Sequence, residues 1–534
     1  MVTACDVLIV GAGPTGLTAA NLCARLGLSA VVVERRESTV RAPAAHVVNA
    51  RTFEIWRQTG LDLGPILDAT LDPSEAGTVH WVTKLGGEVI GSLPYERQGP
   101  EMLDISPTPL RNLSQHRLEP LLLGDHLDAR YGHSFASAVD TAAGVLATVT
   151  GPDGDYLISA RYLLGADGAA SSVRRIAGIE MVGARTLQSN VMIHIAADFR
   201  ALVGDHLGVL SWVVDPAAGG TFISHGADRE WVYNLPWDPE GHPFEWFDDE
   251  RCRELVCAGL ADPSVEFDVL GVSTWHMSAQ VAERYRAGNT FLVGDAAHRF
   301  PPTGGLGLNT GVADVHNLIW KIAGVEAGWL HAATLDTYEA ERRPVAVFNS
   351  EQSLHNALRL VEIPAAFGYG NGVEPTTDAM YAALADPSTR ASVEAAIANQ
   401  AIHFDLLGLQ LGHSYEGSLV IADGTPAETP AEPARDYWPS TRPGGRLPHC
   451  WLDASSSTLD LVDPGVPTVL VCAGAEAPAP RAAAPYVVET VPVDVWTQIP
   501  GLVPERCLVV RPDQHVAYRG NLSGVASALT RLFG

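Results

Sequence analysis

Short, wholly apolar runs bounded by glycine turns recur along this chain. Residues 7–10 (Val-Leu-Ile-Val) are the first. A run without polar alternation predicts a parallel strand covered on both faces. A glycine turn follows, then an Ala/Leu/Cys-rich stretch over 17–26 that predicts a helix, with Gly27 as its C-cap. Residues 30–33 predict a second strand that runs into Glu34. The apolar runs 162–164 and 290–293 repeat the pattern, each closing in an acidic turn. After the last of them, Val312, Val315, Ile319 and Ile322 recur at spacings of 3, 4 and 3, predicting an amphipathic helix.

Between 181 and 284 the pattern changes. Residues 191–196, 208–214 and 230–235 are successive extended runs separated by turns, predicting a mainly antiparallel sheet. Residues 345–410 are Ala-rich and predict helices. Residues 422–443, rich in Pro, Ala, Thr and Glu, predict a linker or crossing segment. Strands are predicted again at 468–472, opened by Pro467, at 507–510 and at 516–519.

The first turn reads Gly11-Ala12-Gly13-Pro14-Thr15-Gly16, set between strand and helix. Gly11 permits the tight turn, Gly13 lets backbone approach a pyrophosphate, and Gly16 lets helix and strand pack closely. The helix N-terminus supplies free N–H groups for phosphate. Glu34 stands 18 residues beyond Gly16, close to the ~20 expected of a carboxylate that binds ribose hydroxyls. This βαβ unit predicts dinucleotide binding without separating FAD from NAD.

A more specific motif starts at Gly294-Asp295, continues through Pro301-Pro302, and ends in the run 303–311, Thr-Gly-Gly-Leu-Gly-Leu-Asn-Thr-Gly. Asp295 at a strand end suits a ribityl hydroxyl. The glycines bring backbone N–H groups and a helix N-terminus against a planar ring, which stabilises a reduced, anionic flavin. Asp167-Gly168 is a further acidic turn after a strand.

Composition narrows the partners. The 534 residues carry a net charge of −27, which repels phosphate backbones and anionic membranes, so no nucleic acid is expected. The chain is 46% hydrophobic and 18% charged, a globular composition. No apolar run reaches the ~20 residues of a membrane span, and the N-terminus lacks a signal-peptide pattern. Seven scattered cysteines without CxxC or Cys/His clusters predict reduced thiols, no metal and a cytoplasmic protein.

Together, Gly11, Gly13, Gly16 and Glu34, then Asp167-Gly168, then Gly294-Asp295 with its prolines and glycine loop resemble the class A FAD-dependent aromatic hydroxylases. Residues 46–52, 112–119 and 511–519 are similar to the phenol and chlorophenol hydroxylase branch. The resemblance implies an α/β fold in three parts. A discontinuous, GR2-type Rossmann-like FAD domain spans 1–180, with an insertion near 74–103, and resumes over 285–410 with helices. A β-sheet substrate domain occupies 181–284. A thioredoxin-like domain without CxxC occupies 411–534. FAD would be held by the residues above together with Arg35, Arg51, Gln115, Pro302, Gly305, Leu306, Gly307, Leu308 and Asn309. NADPH or NADH would act as transient reductant and O₂ as co-substrate. The implied reaction is hydroxylation of a phenolic or hydroxy-heteroaromatic ring through a flavin C4a-hydroperoxide, in natural-product tailoring or catabolism. His46 is the favoured base for the substrate hydroxyl, with His225 and Tyr233 as further catalytic candidates. The expected partners are a small aromatic substrate and a second copy in a homodimer. The alternatives are a flavin oxidase or a non-catalytic flavin-binding protein. A halogenase is disfavoured, since Lys84 and Lys321 are the sole lysines and no Trp-x-Trp is present.

Overall fold

The computed structural model describes residues 2–427, 429–475 and 484–533, arranged around three main sheets. The first contains β1 (Val2–Val10), β2 (Ala30–Glu34), β3 (Gly154–Gly165) and β4 (Thr290–Leu292). β1 lies between β2 and β3, β4 flanks β3, and all pair in parallel. Val10 stands opposite both Val33 and Gly165. The strand ends are therefore level where the glycine turns open, the usual ligand crevice of such sheets. Val7, Leu8 and Ile9 are fully buried, as expected for a central strand covered on both faces. Helix α1 (Pro14–Arg25) starts directly at the turn with proline in its first position. Two further helices complete this unit around the site: α2 (Ala50–Thr59) and α3 (Leu306–Glu326).

The second sheet has eight strands and is mostly antiparallel. Its longest members, Met181–Ala196 and Asp268–Ala282, pair antiparallel and carry Glu230–Trp237 beside them. One pairing is parallel: Leu210–Val213 lies beside Thr78–Val82, a strand from the early insertion. Helices Thr377–Ala385 and Pro387–Ala398, expected with the cofactor unit, pack on this sheet instead. Met380, Val393 and Ile397 share a core with Val79, Trp81 and Ile90.

The third sheet holds Val487–Val491, Thr468–Cys472, Arg506–Val510 and Val516–Asn521, in that order. Helix Val525–Phe533 covers it, and Val469, Val471 and Leu529 share a core with Trp320 of α3. Among the described residues no helix is long and apolar enough to cross a membrane, and no Cys/His/Asp/Glu group could hold a metal.

Candidate active site

A cavity of about 1310 Å³ runs from Gly13 and Thr15 of the first turn, past the 302–308 loop, into the second sheet. It exceeds the ~300–1,000 Å³ usual for one small molecule. The first-turn glycines divide their work. Gly11 has φ 107°, and a β-carbon there would strike the backbone of Ala166; one on Gly16 would strike Gly11. Gly13 faces the cavity, and a β-carbon there would meet nothing nearer than Glu119 Oε1 at 4.0 Å. That open space beside the start of α1 fits a pyrophosphate.

Glu34 ends β2 and accepts from Ala12 N at 2.9 Å, from Arg36 N at 2.9 Å and from Arg36 Nη2 at 3.2 Å. Burial works to raise its pKa, but the hydrogen bonds from Arg36 and Ala12 hold it below the usual carboxylate range. Arg35 is exposed and lies outside the cavity lining. Arg36, not singled out by the sequence motif, pairs with Glu34 and also reaches Glu119 at 3.4 Å. Gln115 lines the cavity and donates to Glu119 Oε1 at 2.8 Å.

The third motif forms the floor. Pro302, Gly305, Leu306, Gly307 and Leu308 line the cavity. Gly305, at φ 63°, is the N-cap of α3, whose first turn has no side-chain cap. Its free N–H groups are available to a ligand. Gly294 (φ 58°) sits against Thr15 rather than in the lining. Asp295 also lines the cavity, and its carboxylate has no hydrogen-bond partner among the described residues. Asp295 is exposed to the cavity; desolvation by the protein crowded around it still raises its pKa above the ordinary carboxylate value, although His298 and Arg299 pull the other way. An unpartnered acceptor between a pyrophosphate turn and an uncapped helix start fits the ribityl chain of FAD.

Several expected cofactor ligands face elsewhere. Arg51 turns away from the cavity: it donates to Glu54, to Gln514 and to the backbone of Asp513. Asp167 lies outside the lining and accepts from Ser172 N, Val173 N and Ser171 Oγ at the start of a short helix. Asn309 is a brace under the loop, joined to Asn49, Thr52, Val47 and Gly305.

The catalytic candidates separate clearly. His46 lines the cavity, and its Nδ1 lies 3.1 Å from Asn112 Oδ1. Burial lowers its pKa to about 4, against the opposing hydrogen bond to Asn112. His225 is not in the lining. It stands edge-on behind His46 with ring centroids 5.6 Å apart. Burial and the adjacent His46 push it well below the usual imidazole range. Tyr233 is corrected outright. Its ring stacks on Phe222 with centroids 4.0 Å apart, its hydroxyl donates to Ala218 O, and its side chain is fully buried in the sheet core. Strand alternation sends the neighbouring Asn234 into the cavity instead.

The wall beyond His46 is aromatic and mixed: Trp212, Trp275, Met192, Ile223 and Phe404. Phe404 comes from the Ala-rich helical region, where no motif marks it. Arg174, Arg175, Arg185 and Arg299 also reach the cavity, and none has a carboxylate within ion-pair distance among the described residues.

A phosphate-binding turn, an unpartnered acid and a helix start facing one cavity define a flavin-binding oxidoreductase. Comparison with known proteins agrees. Residues 4–353 match the family described as FAD binding domain, and residues 440–534 match aromatic-ring hydroxylase, C-terminal. A 2,4-dichlorophenol 6-monooxygenase of Cupriavidus pinatubonensis is 30% identical over 99% of this chain and 96% of its own length. A tetracenomycin B2 monooxygenase-dioxygenase of Streptomyces olivaceus is 30% identical over 97% of this chain and 95% of its own. The solved structure of the flavin-dependent monooxygenase PieE, in complex with FAD and substrate, superposes with a TM-score of 0.91 at 31% identity, covering 99% of this chain and 98% of that one. The chain belongs to the FAD-dependent aromatic-ring hydroxylases, monooxygenases of the class A type.

Proposed function

We propose that this enzyme hydroxylates a phenolic or hydroxy-heteroaromatic ring bound between the flavin site and the second sheet, with NADPH or NADH as reductant. The observation that carries this reading is the single continuous cavity, which joins the cofactor cradle to an aromatic wall. FAD, once bound, supplies hydride acceptance and oxygen activation. The chain's residues supply the rest. Gly13 and the start of α1 hold the pyrophosphate, Glu34 the adenosine ribose, and Asp295 a ribityl hydroxyl. The first turn of α3 faces the ring and favours its reduced, anionic form.

His46 accepts the substrate's hydroxyl proton. Its low pKa keeps the imidazole neutral at pH 7, so a lone pair is available. A hydrogen bond from Nδ1–H to Asn112 leaves Nε2 as the acceptor. Behind it lie His225 and then Glu230, which is 2.7 Å from His194 Nε2, 3.3 Å from His116 Nε2 and 3.1 Å from Arg117 Nη2. The four unpaired arginines guide an anionic reductant or substrate to the mouth.

The same reading includes a thioredoxin-like third unit, supported by its four-stranded mixed sheet, and a homodimer. Exposed Phe348, Leu358 and Val361 are side chains such a contact would cover. It also places the protein in the cytoplasm, since all seven cysteines are free. The test is direct: follow NAD(P)H oxidation against a panel of phenols, hydroxypyridines and polycyclic phenols, with product mass recorded. Ligand-stimulated oxidation with gain of one oxygen atom supports the proposal. Steady peroxide release with no oxygenated product from any of them would make the protein an oxidase.

A further inference from the structure

Arg51 and Gln514 are 463 positions apart, yet Arg51 Nη1 donates to Gln514 Oε1 at 2.6 Å, and Arg51 Nη2 donates to Asp513 O at 2.8 Å. Gln514 has φ 62°. Among the described residues only Glu96 shares this left-handed region without being glycine. A side chain disfavours that conformation, which persists only where the surroundings impose it. Here they do. Gln514 N donates to Arg511 O at 2.9 Å, Leu447 N donates to Gln514 O at 2.9 Å, and Gln514 Nε2 donates to Leu459 O at 3.2 Å. Arg511 is itself anchored on Glu341, at 2.6 and 2.7 Å.

From Arg51 the connection passes along the backbone of α2 to a second hydrogen-bond network beside the cavity. Arg51 lies in the first turn of α2, whose N-cap is Asn49; Asn49 Oδ1 accepts from Thr52 N at 2.9 Å. Asn49 N and Thr52 Oγ1 both donate to Asn309 Oδ1, at 3.0 and 2.8 Å. Asn309 Nδ2 returns to Val47 O at 3.0 Å and Gly305 O at 2.7 Å. Gly305 caps α3 and opens the loop that lines the cavity. Gln514, Arg51, Asn49, Thr52 and Asn309 are all buried, so no link competes with bulk water.

We propose that Gln514 is a positioning residue for the flavin. It fixes Arg51, and through the start of α2 and Asn309 it sets the 305–308 loop against the ring. The third unit is thereby part of the cofactor site rather than an appendage. Glu54 already gives Arg51 a partner at 2.9 Å, so charge compensation alone does not call for a strained residue from another unit. Fixing the direction of the guanidinium does. This inference rests on the reading that the loop holds the flavin ring.

The test uses the full-length holoenzyme and three variants, Gln514→Ala, Gln514→Gly and Gln514→Glu. The readouts are apoprotein melting, FAD affinity by flavin fluorescence quenching, and the flavin midpoint potential. Gln514→Ala should melt below the wild type, because the buried Arg51 loses an acceptor, and bind FAD about tenfold more weakly, the loss of one hydrogen bond to a charged group. Its potential should be more negative, because the α3 start no longer sits firmly against the reduced ring. Gln514→Gly keeps the backbone conformation, drops the side chain, and should match Gln514→Ala. Gln514→Glu keeps an acceptor for Arg51 and should stay within about threefold of the wild type. Wild-type behaviour of Gln514→Gly beside an impaired Gln514→Ala would place the effect in backbone strain and overturn the proposal. Asp295→Ala serves as the control. If it loses FAD while Gln514→Ala binds normally at an unchanged potential, the positioning role alone falls. If both bind FAD normally, the placement of the flavin falls and the positioning role with it.

Discussion

Arg446 and Glu54 meet as a buried bidentate ion pair between the third unit and α2. Arg446 Nε donates to Glu54 Oε2 at 2.8 Å and Nη2 contacts Oε1. Their side chains are 1% and 0% exposed. Burial works to raise the Glu54 pKa, but Arg446 and Arg51 overcome it and hold the group at about 2. A carboxylate depressed on folding stabilises the fold above its unfolded pKa of ~4.3. That contribution fades as pH falls from there toward about 2. Glu54→Gln should cost about 3–5 kcal/mol at neutral pH, because it strands a buried guanidinium. Urea unfolding at pH 7 measures the loss, and repeating it at acid pH should show the gap from wild type narrowing. A constant gap would mean the pair contributes nothing through its charge.

Asp295 gives the opposite pH signature. Its carboxyl is raised by desolvation, so it protonates at a higher pH than an ordinary aspartate. FAD affinity of the wild type should weaken as pH falls through that raised value, since a protonated carboxyl is a poorer acceptor. Asp295→Asn should bind FAD more weakly at pH 7 and lose the pH dependence. Flavin retention after gel filtration across a pH series is the readout. An unchanged slope in the variant would remove Asp295 from the ribityl site.

His46→Ala should lower kcat/KM for a phenol by about 10²–10⁴ at pH 7, the usual worth of a positioned base, with flavin content unchanged. The deficit should shrink as pH approaches the phenol's own pKa of ~10, because the substrate then arrives ionised. A deficit independent of pH would make His46 a packing residue.

Tyr233→Phe separates core from chemistry. Removing the hydroxyl that binds Ala218 O should cost about 1 kcal/mol of stability and leave kcat at the wild-type level. Thermal melting and steady-state assay on one preparation decide it; a kcat loss of tenfold or more would restore Tyr233 to the site.

The cofactor cradle was legible in the sequence because its chemistry is local. Gly11 is demanded by its own backbone turn, at φ 107°, and Gly16 by the backbone of Gly11, and the fold of 2–34 follows from an apolar run, a turn and a second run. Long-range geometry was not legible. Arg51 sits in a family motif, but its partner lies 463 positions further on, and no spacing rule connects them. Tyr233 and Asn234 are adjacent on a strand whose two faces are both covered, so alternation shows that one of them faces the cavity without showing which. For Asp167 the sequence leaves two roles open: an acid after a strand suits a ligand and a helix start equally, and Ser171 to Val173 bind its carboxylate here. Phe404 came from a region read correctly as helical that carries no chemical motif.

The contact between Arg51 and Gln514 also orders events during synthesis. The βαβ unit and α2 leave the ribosome first, the α3 loop more than halfway through, and Gln514 after all of them. Arg51 stays without its native acceptor, and Asn309 without a fixed brace, until the last strands of the chain have been translated and docked. On this reading, a chain stopped before residue 514 carries the dinucleotide fingerprint while Arg51 still lacks the acceptor that fixes its direction.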